Sequence, residues 1–174
     1  HEWQTGFGID FSLPSLLAYD GIFVAWEPGN GIDTDILINY VEAGGNAYVA
    51  GGTSYADQEA AQWNPLLNHF GLAFGPDYNT GTGNLAISSG HPVFEGVSSL
   101  YQGNGLEVLD LTPDDSQSTV LVTLRPPGSP TSQPLGMYAV YSSRSQVPEP
   151  ATLALLGLGL AGLGWSRHRH GQRL

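Results

Sequence analysis

Three residue types in this chain could combine into a hydrolytic site: Ser54 behind a glycine turn, the carboxylate of Glu27, and the imidazole of His91. A serine attacks a carbonyl only when an adjacent base takes its proton and a third group orients that base. No spacing in the sequence anchors a histidine beside Ser54. A plain turn at Gly51-Gly52-Thr53-Ser54 is therefore the expectation, with a serine-based site as the alternative. The turn also lacks the G-x-G-x-x-G and Walker spacings, so nucleotide binding has no motif behind it. The chain has no cysteine, which removes thiolate catalysis, disulfides and zinc–thiolate sites together. From Asp77 the sequence DYNTGTGNLAIS starts like a calcium loop, with Asp77 and Asn79 in ligand positions. It then places Gly81 at an acidic ligand position, Thr82 at the turn glycine and Ser88 at the bidentate glutamate. A surface turn is expected there, and no metal or cofactor is expected anywhere. Trp3, Trp26, Tyr55, Trp63 and Tyr78 could stack on sugars, although single aromatics more often fill a core.

The elements that must position these groups can be read from periodicity. Ile22 to Trp26 and Ala47 to Ala50 are short, continuous apolar runs, the pattern of strands covered on both faces. Between them Asp33 or Thr34 caps a helix to about Ala43. Ile36, Leu37, Tyr40 and Val41 form its inner face, and Gly44 forms its stop. A second helical stretch opens at Asp57 and is expected to break before a new start at Asn64-Pro65, with Leu66, Leu67 and Phe70 inward and Gly71 as terminator. Later strands are expected near residues 84–87, 107–111, 120–125 and 137–141, the last two joined by a proline-rich surface loop. Strand–helix–strand order with apolar strands predicts an α/β domain: a mainly parallel sheet flanked by helices, with an antiparallel addition at one edge. In such sheets ligands sit beyond the carboxyl ends of the strands. That rule nominates Trp26, Glu27, Gly51, Gly52, Thr53 and Ser54 as a rim. The alternative is a tight glycine turn with a solvated Glu27.

Composition narrows the partners. Charged residues are only 12% of the 174, and 24 glycines and 12 prolines describe a loop-rich folded domain rather than an acidic disordered chain. Arg125 and Arg144 stand against fifteen acidic residues before Val147, while Arg167, Arg169 and Arg173 stand against Glu149 after it. An acidic body repels phosphate backbones, so nucleic acid is not an expected partner.

The order YD-x-I-F-V, then YVEAGGNAYVAGGT, then HPVFEGV resembles the class I glutamine amidotransferase-like fold over about residues 16–143. That resemblance implies a flavodoxin-like sandwich whose first strand and helix would precede His1. Active members use a cysteine nucleophile with histidine and glutamate. Without cysteine, glutamine hydrolysis by that triad is excluded, and His91-Pro92 is expected to be a turn whose imidazole bonds a neighbouring carbonyl.

The chain ends differently from its body. Val147-Pro148-Glu149-Pro150 precedes fifteen uncharged residues, Ala151 to Trp165, and then a basic cluster. As a helix this stretch would span roughly 22 Å. It has no polar face, so a single membrane helix is expected, held by Arg167, Arg169 and Arg173 on the cytoplasmic side. The three parts in this order resemble the PEP-CTERM sorting signal. The resemblance implies cutting near Pro-Glu-Pro by exosortase, a membrane protease, in a Gram-negative-type bacterium that makes extracellular polysaccharide. The expected organisation is a domain at 1–141, a linker at 142–146 and a sorting tail at 147–174. The expected function is that of an exported, non-catalytic surface or matrix protein whose body binds polysaccharide or another envelope protein. A hydrolase with a noncysteine site at the strand ends is the alternative. An ice-binding role rests only on a label attached to such tails.

Overall fold

The computed structural model describes residues 10–25, 32–53, 55–125 and 133–143. The chain divides into two units, His1–Ser143 and Arg144–Leu174, and the described elements lie in the first. In order its elements are α1 (Leu13–Leu16), β1 (Ile22–Ala25), α2 (Thr34–Glu42), β2 (Ala47–Ala50), α3 (Ala56–His69), β3 (Leu72–Tyr78), β4 (Thr82–Ala86), a 3-10 turn (Pro92–Phe94), β5 (Ser99–Gly103), β6 (Leu106–Asp110), β7 (Ser118–Leu124) and β8 (Leu135–Tyr141).

The first third follows the expected order of elements, but β1 and β2 are covered on one face only: Phe23 and Tyr48 point outward and are exposed, where strands covered on both faces were expected. Asp33 caps α2 by accepting from the Asp35 N–H at 2.9 Å. Leu37 and Tyr40 are buried, and Gly44 terminates the helix at φ +96°. β1 and β2 pair in parallel across α2, from Ile22 opposite Ala47 to Ala25 opposite Ala50. Their inner face joins α2 and α3 around Leu37, Tyr40, Ala60, Trp63, Leu66 and Phe70.

The mainly parallel, flavodoxin-like sheet is not what the chain builds. β1–β2 is the one parallel pair among the described strands; β3–β6, β4–β5 and β7–β8 are separate antiparallel pairs. The physical reason is visible at β3. The Asn64 side chain accepts from the Phe74 N–H at 2.8 Å and donates to the Phe74 carbonyl at 3.1 Å. In a strand, the N–H and C=O of one residue point to the same edge. Asn64 therefore occupies backbone groups on one edge of β3 and closes them to a further strand, and β3 pairs through its other edge with β6.

Two smaller expectations also change. α3 does not break at Asn64-Pro65 but runs unbroken with Pro65 inside it. Ala60, Trp63 and Leu66 bury one continuous face on both sides of the proline, which offsets the lost helix bond. β7 and β8 do pair antiparallel across the proline-rich segment, yet as a sheet of their own rather than an edge of β1–β2. A second small core, Leu85, Val122 and Met137, lies under these later strands. The expected membrane helix over 151–165 falls outside the described residues. Among the described residues no helix is long and apolar enough to cross a membrane.

Candidate functional site

The glycine turn after β2 is the place where sequence and fold position nominated a ligand rim. Its backbone donors already have an acceptor. Glu59 lies in the first turn of α3, where Cβ bonds tilt toward the helix N-terminus, so its side chain reaches back over the turn. One carboxylate oxygen accepts from the Gly52 N–H at 2.7 Å and the Thr53 N–H at 3.0 Å; the other accepts from the Thr53 hydroxyl at 2.8 Å. Glu59 is fully buried. A carboxylate at a helix start, bonded to consecutive amides, fills the position that an external anion takes in glycine-rich turns. The protein's own acid therefore occupies the anion nest.

The other side of the turn is closed by backbone. Gly52 adopts φ +108°, and a Cβ there would lie 2.6 Å from the Gly105 Cα and 2.9 Å from the Asn104 carbonyl oxygen. At Gly51 a Cβ would meet the Phe74 ring at 2.8 Å. Both glycines serve close packing, the tight-turn alternative of the sequence analysis.

The structure gathers Gly51, Gly52 and Thr53 around Glu59, a residue that sequence reasoning passed over. Its signal was an acidic residue in the first helical turn after a Gly-Gly-Thr loop. Trp26, Glu27 and Ser54 lie outside the described residues, as do Val147, Pro148, Glu149, Pro150, Arg167, Arg169 and Arg173. His91 caps the separate 3-10 turn, its Nδ1 accepting from the Val93 N–H at 3.2 Å. The imidazole thus takes a backbone N–H through Nδ1. Asn79, buried in the loop that resembled a calcium site, donates to the Leu106 carbonyl and accepts from the Gly81 N–H. Among the described residues no cluster of three His, Asp or Glu could hold a metal.

An apolar cleft of about 510 Å³ is lined by residues of β1, β2, α3, β3, β6 and β8. Phe23 and Tyr48, opposite each other on the outer face of β1–β2, meet with ring centroids 5.5 Å apart and planes tilted by 44°, and stay 65% and 49% exposed. Across the cleft, Tyr138 donates to the Gln102 amide oxygen at 3.2 Å and meets Phe94 edge-on. Burial raises the Tyr138 phenol above its ordinary pKa of 10.0, with Tyr48 adding to the rise. Among the described lining residues there is no carboxylate, imidazole or aliphatic hydroxyl. Such a cleft can hold an apolar group and meet its polar atoms with the amides of Asn46 and Gln102 or with tyrosine hydroxyls; its described lining offers no carboxylate or imidazole as acid or base near pH 7.

Comparison with known proteins identifies the tail. Residues 146–169 match the PEP-CTERM protein-sorting motif. A motif of this kind marks a chain for export and for processing by exosortase, a membrane protease of Gram-negative bacteria. No curated protein and no solved structure matches the chain.

Proposed function

We propose that this chain is an exported, non-catalytic binding protein of the cell surface or extracellular matrix. Its sorting motif is cut near Pro148-Glu149-Pro150, and its β-rich body is then released to the exterior. The match of residues 146–169 to the sorting motif is the observation that carries export. A binding rather than catalytic body is supported by the glycine turn, whose donors at Gly52 and Thr53 are spent on Glu59, and by a cleft lined without acid or base. Polysaccharide or another envelope component is the partner class proposed for the body, which carries an acidic, neutral-patched surface suited to uncharged ligands better than to anions.

The test is paired expression of the full chain in a host with exosortase and in the same host lacking the protease. The first host should export a shortened form. The second should retain the uncut chain in its membrane fraction. Equal export from both hosts would overturn the sorting assignment. Hydrolysis of acyl or glycosidic reporter substrates by the purified exported form, above a heat-inactivated control, would overturn the non-catalytic part.

A further inference from the structure

The β4–β5 hairpin separates its side chains cleanly into two faces. Opposite residues of an antiparallel pair share a face, and here Thr82 opposes Gly103, Asn84 opposes Tyr101, and Ala86 opposes Ser99. All six are exposed, while Leu85 and Gln102 point inward and are buried. The outward face thus has one aromatic, three hydrogen-bonding side chains, two small residues and no carboxylate or cation.

Tyr101 is 73% exposed. Its Cε1 lies 3.5 Å from the position a Cβ would take on Gly103, two residues along the same face. The ring edge leans along the ribbon toward Gly103, a residue with no side chain to crowd it. The hydroxyl of Tyr101, the amide of Asn84 and the hydroxyls of Thr82 and Ser99 have no side-chain hydrogen-bond partners among the described residues. An amide brings two donors and an acceptor, and each hydroxyl brings both roles.

We propose that this face is a binding platform for a neutral polysaccharide, with Tyr101 as the stacking residue and Asn84 as the principal hydrogen-bonding residue. The electron-rich face of an aromatic ring attracts the C–H-lined face of a pyranose, while the ring hydroxyls of the sugar need neighbouring donors and acceptors in the same plane. Tyrosine offers this contact area at little entropic cost, because only two torsions are fixed on binding. The five-residue strands give a platform of about 14 Å, long enough for a short run of sugar units. Charge selects the class. Before Val147 the chain has two arginines against fifteen acids, so an acidic glycan is repelled at long range while an uncharged one is not. This inference rests on the export reading only for its biological setting; the platform itself is a property of the body.

The experiment is affinity electrophoresis of the full chain through gels containing dextran, glucomannan or mixed-linkage β-glucan, with alginate as the acidic polymer. At least one neutral gel should retard the protein and alginate should not. Tyr101→Ala should weaken that retention at least about tenfold, Tyr101→Trp should keep it, and Asn84→Ala should weaken it about threefold or more, with unchanged circular dichroism in all three. Absence of retardation in every neutral gel, stronger retardation by alginate, or full retention by Tyr101→Ala would overturn the platform. Export and processing of Tyr101→Ala, measured in the exosortase host, should equal wild type. A platform failure therefore leaves the sorting assignment standing, and failed export of a glycan-binding protein sinks the sorting assignment alone.

Discussion

At the scale of single residues, Glu59 organises the glycine turn after β2. Its carboxylate satisfies two backbone N–H groups and one hydroxyl inside the fold. Removing a buried acceptor leaves its donors unpaired, at a cost of about 1–3 kcal/mol for each group kept from water. Glu59→Ala should therefore lower the unfolding free energy of the full chain by about 2–4 kcal/mol in urea titrations. Glu59→Gln should cost visibly less, because the amide oxygen can still accept from Gly52 and Thr53 and its NH₂ can donate to the Thr53 hydroxyl. Equal losses would contradict this account of the turn. At Glu107 on β6, burial raises the carboxyl above the ordinary 4.5. A carboxyl whose folded pKa is raised holds its proton more tightly when folded. Its favourable share is present below the unfolded pKa and is lost as pH rises through the folded one. Glu107→Gln should then be more stable than wild type near pH 7, with the gap closing below about pH 4, as thermal melts across that range would reveal. Neither residue was legible beforehand, since an acid in a first helical turn or on a strand has no periodicity that separates a buried role from a solvated one. Trp63 and Tyr55 show the same limit for aromatics: one is fully buried and the other 73% exposed, in sequence surroundings that do not distinguish them.

At the scale of elements, what was legible was what local chemistry determines. Asp33 and Gly44 mark the ends of α2, and the apolar runs at Ile22 and Ala47 are parallel neighbours. β3 and β5 were missed because Gly75-Pro76 and the glycine at 103 lower strand propensity, while pairing with β6 and β4 supplies what propensity lacks. The missing β5 also hid Tyr101, so the face proposed to bind glycan was absent from the sequence expectation. The larger error, a mainly parallel sheet, came from extending one correct strand–helix–strand unit to the whole body. A side chain decides otherwise: Asn64 takes both backbone groups of Phe74. Asn64→Ala should cost about 2–3 kcal/mol and should lower hydrogen-exchange protection at the Phe74 amide more than at Val49 on β2. Asn64→Asp retains the acceptor for the Phe74 N–H and should preserve more of that protection. Uniform loss of protection across β2 and β3 would mean that Asn64 does not act locally on β3.

At the scale of the whole molecule, the sorting tail was the most legible part of the chain because its signal is sequential. Proline, glutamate and proline, an uncharged stretch and a basic end are recognised in order along the chain, whereas a binding surface exists only after folding. Residues 146–169 match the sorting motif, and the account as a whole depends on that motif being used. The most direct measurement is intact mass and C-terminal peptide mapping of the protein recovered from outside an exosortase-bearing host. The mature chain should end near Pro148 to Pro150 and lack Arg167, Arg169 and Arg173. Replacing Pro148, Glu149 and Pro150 together with alanine should leave the full-length mass in the cell-associated fraction. An exported protein that still ends at Leu174, or an alanine variant cut and exported as efficiently as wild type, would contradict the central claim.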